Sequence, residues 1–118
     1  MTTERGSVTI LTGATVLIAL VLAMGCADVG RVLVARERAQ TAADASALAA
    51  AQELAIPGGR DPAEVAADYA SRNGASLTAC DCAAGGTEAT VTVTVDAGTL
   101  LLLPGERIAS ARARAVVG

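Results

Sequence analysis

The sequence contains no histidine, lysine, phenylalanine or tryptophan, and Tyr69 is its one aromatic residue. Without His or Lys the usual bases that activate a Ser or Cys nucleophile are missing, and no glycine-rich loop follows a strand to hold phosphate. Catalysis is therefore not expected, and no cofactor is called for. Acid pairs such as Asp61 with Glu64, or Asp44 with Glu53, suit helix caps and solvated helix charges. Cys80 and Cys82 supply two thiolates, short of a tetrahedral metal set. The net charge is -3 and the basic residues, all Arg, form no cluster, which argues against a nucleic-acid partner.

Large core residues are also scarce. From Ile56 onward the apolar residues are mostly Ala and Val, and small side chains remove little area from water at about 25 cal/mol per Å². A segment of that size lies near the lower limit for an independent core, so the membrane or partner subunits are expected to supply part of its stability.

What is present is a long uncharged run. From Gly6 to Ala27 no residue carries charge, and Val, Ile, Leu and Ala dominate. At about 1.5 Å per residue a helix of this length crosses the roughly 30 Å hydrocarbon layer. From Asp28 the composition becomes Ala with Arg, Glu, Gln and Asp, and no Pro appears before Pro57, so the helix is expected to continue to Leu54 as a rod. Within it Ala35, Ala39, Ala43, Ala47 and Ala51 recur at every fourth position, a stripe that permits close packing against another helix. Alanine's abundance as a good helix former gives the same spacing without any partner.

Pro57-Gly58-Gly59 breaks the rod. Asp61-Pro62 then starts a short helix, with Val65, Ala66 and Tyr69 as its apolar face and Asn73-Gly74 as its close. Leu77 to Cys82 suits a strand, and Val91, Val93 and Val95 alternate with Thr90, Thr92 and Thr94 in a half-buried one. Leu100 to Leu103 is an apolar run ended by Pro104-Gly105. Ala109, Ala111, Ala113 and Ala115 alternate with Ser110, Arg112 and Arg114 in a last strand with one wet face. The expected fold is α+β: a transmembrane helix continuing into a rod, a short second helix and an antiparallel sheet of three or four strands. The expected segments are a leader-like stretch at 1–6, span and stem at 7–55, and a small extracytoplasmic domain at 56–118.

Glu4-Arg5-Gly6-Ser7 before the span, followed by Arg38-Ala39-Gln40-Thr41-Ala42-Ala43-Asp44-Ala45-Ser46-Ala47-Leu48-Ala49-Ala50-Ala51, resembles the N-terminal region of TadE/TadG-like proteins of the Flp (tight-adherence) type of pilus. More narrowly it is similar to the short actinobacterial TadE-like proteins. The resemblance covers roughly residues 4 to 55, and the strand-rich tail more loosely. It implies a single-span minor pilin or pseudopilin, pilin-like in shape. Its implied partners are the membrane, other pilin-like or Tad secretion subunits and a prepilin peptidase.

A prepilin peptidase cuts after Gly, which makes Gly6 and Ser7 a candidate processing site, yet the fifth mature position is then Leu11 where prepilins normally carry Glu. A carboxylate inside the membrane persists only with a partner. Its absence favours an accessory role over that of the main fibre subunit. An ordinary polar N-terminus before an anchor is the plainer alternative. Leu22-Ala23-Met24-Gly25-Cys26 also has a faint lipoprotein or signal-peptidase character, opposed by the missing positive n-region and the helical sequence that follows.

Exported, Cys80 and Cys82 stand where disulfides persist, either with each other or with another chain. Orientation is contested within the sequence. Arg31, Arg36 and Arg38 follow the span and only Arg5 precedes it, which places the C-terminal part inside, whereas the resemblance implies that it is exported. Two functions remain: a structural or accessory pilus component, or a membrane-anchored or secreted binding module unrelated to a fibre.

Overall fold

A computed structural model describes residues 2–98, 100–102 and 108–117. The chain forms α1 (Thr2–Ala55), α2 (Pro62–Arg72), β1 (Ser76–Asp81), β2 (Glu88–Asp96) and β3 (Ile108–Val116). This is the expected α+β arrangement, with three strands among the described residues. The first strand begins and ends one residue earlier than expected, and the last extends by one residue at each end. Leu103, Pro104 and Gly105 of the apolar run lie outside the described residues.

The 54 residues of α1 at about 1.5 Å each give a rod near 80 Å, and the molecule measures 84 × 22 × 19 Å. One helix therefore sets the long dimension. It ends where Ile56 precedes Pro57, since the residue before proline is pushed out of the α region. The Glu53 carboxylate holds the turn that follows, accepting from Gly58 N at 2.7 Å and Arg60 N at 3.1 Å.

Asp61 caps α2 by accepting from Ala63 N at 3.1 Å, with Pro62 in the first turn where its missing N–H costs nothing. At the other end Gly74 takes φ +74°, donating to Ser71 O while Ala75 donates to Ala70 O, so two orphan carbonyls are satisfied. Val65, Ala66 and Ala70 are buried and Tyr69 is exposed. The expected apolar face is thus rotated. Tyr69 lines a surface cleft with Ala49, Gln52 and Glu53 of α1. The Tyr69 ring lies under the Arg72 guanidinium, 5.1 Å from its centroid.

The sheet is antiparallel in the order β1-β2-β3. Val91 and Val93 are fully buried, Val95 nearly so, while the alternating Thr residues are half-buried. β3 pairs with β2 in regular register from Glu88↔Val116 to Asp96↔Ile108. β1 does not, because a bulge at Thr78 shifts the register between Leu77↔Val93 and Ala79↔Thr92. An extra residue reverses the in-out alternation. Leu77 and Cys80, three positions apart, consequently lie opposite Val93 and Val91 and both pack against the core.

That core joins α1, α2 and the sheet. Ala35, Ala39, Ala42, Ala43, Ala47, Ala50 and Ala51 of α1 meet Ala66 and Ala70 of α2 and Ala89, Val91, Val93 and Val95 of β2. The segment boundary expected at 55–56 is a turn in the chain and not a gap in the packing. Residues 35 to 51 of α1 are as much part of the compact body as the strands are.

Candidate membrane-spanning stem and its collar

The two halves of α1 have opposite surroundings. From Gly6 to Ala27 every residue is exposed except the half-buried Gly25, with Ile10 at 74% and Leu11 at 68%. This helix is long and apolar enough to cross a membrane. Exposed leucines and isoleucines along such a length are costly in water. Its polar positions are suited to hydrocarbon, since a helix bonds its own backbone and the Thr15 hydroxyl donates to Leu11 O at 2.8 Å. Gly6 and Ser7 lie within continuous helix, exposed, and a Cβ added at Gly6 meets nothing within 4 Å.

In the second half the alanine stripe turns inward. Ala35, Ala39, Ala43, Ala47 and Ala51 are between 0% and 6% exposed. The surfaces they meet belong to this chain's own α2 and sheet, so the close packing that small residues permit is used inside the molecule. Beside them Ser46 is fully buried, and its hydroxyl has no hydrogen-bond partner among the described residues.

Where the halves meet stands Asp28, the first charge after the span and 0% exposed. Its Oδ1 accepts from Leu101 N at 2.7 Å and its Oδ2 from Leu102 N at 2.6 Å. Burial of an ionised carboxylate is tolerable when such bonds replace its water. Leu101 and Leu102 of the β2–β3 connection are thereby fastened to α1, and with Ala97 and Gly98 they form the segment termed the collar. Asp96 Oδ1 shapes its start by accepting from Gly98 N at 2.8 Å, with Gly98 at φ +82°. Ala97 lines a shallow cleft with Ala27, Gly30 and Arg31, which places the collar at the span end of the compact body.

In the sequence Asp28 is only the end of the uncharged run and Glu53 only a solvated helix charge. Both bind backbone N–H groups of distant or turning chain. The one available signal at Asp28 was an acidic residue flanked by apolar ones at the edge of a span, a position that favours a satisfied carboxylate. Asp44 does match the solvated expectation, exposed and accepting from Gln40 Nε2 at 2.9 Å.

Cys80 and Cys82 are bonded to each other, with Cα atoms 5.5 Å apart, and Cys82 lies just beyond the last residue of β1. Cys26 is free and exposed at the end of the span. Among the described residues no three metal-ligating side chains converge.

The exposed apolar half runs without a break into a half whose alanine stripe is buried. Residues 6–53 match the TadE/G-like Flp pilus-assembly family. The TadE/G-like segment takes in the whole exposed half of α1 and nearly all of the buried half, and it stops before Pro57. Asp28 lies near its middle, and the collar that Asp28 holds comes from outside it. No curated protein and no solved structure shows significant similarity to the chain.

Proposed function

We propose that the chain is a single-pass membrane protein that acts as a TadE-like minor pilin or pseudopilin, a structural or accessory part of a tight-adherence pilus or related secretion apparatus. The observation that carries this reading is the coincidence of the TadE/G-like match at residues 6–53 with an exposed apolar helix that becomes the spine of a compact α+β body. Gly6–Ala27 anchors it and the compact body lies outside the cytoplasm. It works by packing and not by catalysis.

The interior use of the alanine stripe supports a specific division of labour. Since Ala35, Ala39, Ala43, Ala47 and Ala51 are already covered by this chain's α2 and sheet, the stripe itself is not open to other pilin-like subunits, and their contacts fall first to the exposed half of α1. A prepilin peptidase cutting between Gly6 and Ser7 would release a subunit with Leu11 at the fifth position. Such a subunit has no buried carboxylate for docking into a fibre, which suits an accessory role. Mass spectrometry of the membrane-purified protein decides the processing step: an N-terminus at Ser7 is expected, and an intact Met1 overturns it.

The partner claim is tested by a photo-crosslinking residue at Val16 or Leu20 in the source cells. Adducts with other pilus-assembly subunits are expected. Adducts with lipid alone at both positions contradict the assembly reading.

A further inference from the structure

Leu101 and Leu102 sit in the β2–β3 connection with their backbone N–H groups fixed to Asp28 and their side chains 50% and 43% exposed. They belong to a run of four leucines at positions 100 to 103, yet neither joins the buried core of the compact body. Adjacent large apolar side chains held out into water are a cost unless something covers them. Their location says what does. Asp28 follows directly on Ala27, the last residue of the uncharged run, so the amides it binds lie at the level where α1 leaves the apolar layer.

We propose that this collar is a second membrane contact, in which Leu101 and Leu102 enter the interfacial layer of the bilayer beside the end of the span. The proposal rests on the reading of Gly6–Ala27 as a membrane span. The Asp28 carboxylate is the device that makes it work. At the boundary of an apolar layer its charge is expensive, and it is satisfied by two amides that it simultaneously holds at bilayer height. Half-exposed leucines at that height gain by leaving water, as they do on interfacial helices. The compact body is thus attached at two places, the helix and the collar. That arrangement fixes its rotation and tilt on the membrane, which a single helix leaves free.

The chain has no Trp, so single substitutions give clean fluorescence reporters. The full-length protein is prepared as Leu101→Trp, Leu102→Trp, Leu22→Trp and Tyr69→Trp and placed in phosphatidylcholine vesicles with or without brominated acyl chains. Leu22 lies in the span, and Tyr69 lies on α2 beside Gln52 and Glu53, at the far end of the stem. Blue-shifted emission and loss of intensity with brominated lipid are expected for Leu22→Trp and for at least one of Leu101→Trp and Leu102→Trp, with no loss for Tyr69→Trp. Adding Asp28→Ala to the quenched collar variant is expected to restore its intensity while circular dichroism stays helical. Quenching of Leu22→Trp with neither collar variant quenched overturns the collar alone. A blue shift at the collar without quenching assigns its cover to protein and also overturns it. Absence of quenching at Leu22→Trp as well overturns both the collar and the span beneath it.

Discussion

Glu53, in the last turn of α1, accepts from the backbone N–H of Gly58 at 2.7 Å and so carries the chain around Pro57 toward α2. The same Oε1 takes Arg60 N at 3.1 Å. Replacing Glu53 by Ala is expected to lower stability by about 1 kcal/mol, less than the roughly 1.5–3 usual for a bond to a charged acceptor because the turn is exposed to water. Glu53→Gln keeps an acceptor oxygen and is expected to lose about half as much. Thermal unfolding of the full chain in detergent micelles gives both values, and equal melting temperatures for all three proteins contradict the role of Glu53 in the turn.

Asp28 is the more consequential carboxylate. Asp28→Ala leaves two amides without their acceptor, at a cost of about 2 kcal/mol concentrated on the collar. Asp28→Asn recovers only part of it, since one of its two terminal groups is a donor facing another donor. Hydrogen exchange locates the effect. Faster exchange is expected at Leu101 and Leu102, with β2 amides such as those of Val91 and Val93 still protected.

The buried half of α1 gives two substitutions of opposite sign. Ala43→Leu forces three more carbons into a fully buried site and is expected to cost about 2 kcal/mol, whereas Thr41→Leu on the exposed side changes little. Ser46→Ala removes a buried hydroxyl that has no partner among the described residues and is expected to stabilise by about 1 kcal/mol. Urea unfolding in a constant amount of detergent ranks all three. An Ala43→Leu protein as stable as its parent would mean that the stripe is not packed as described.

Thiol counting checks the cysteines. Alkylation of the unreduced, denatured protein is expected to label Cys26 alone, and reduction is expected to add Cys80 and Cys82. Three adducts before reduction, or a disulfide-linked dimer that survives Cys26→Ser, would remove the pairing of Cys80 with Cys82.

Much of this fold is legible in the sequence because its signals are local. The uncharged run, the break at Pro57-Gly58, the Asp61-Pro62 start and the Val/Thr alternation of β2 each state their structure within a few residues. What stays hidden depends on distant partners. Nothing near Thr78 announces the bulge that turns Cys80 toward Val91, since a bulge is defined by the strand opposite. Nothing around Asp28 points to amides 73 and 74 residues away. The alanine stripe shows that something packs closely, and only the fold shows that its partners are this chain's own α2 and sheet.

The proposed role in pilus assembly is tested most directly by a count of surface pili on source cells lacking the chain. Loss or marked reduction of pili is expected, reversed by the wild-type chain but not by one whose span is interrupted by charged residues at Leu17 and Leu20. Undiminished pili in the deletion strain would contradict the account.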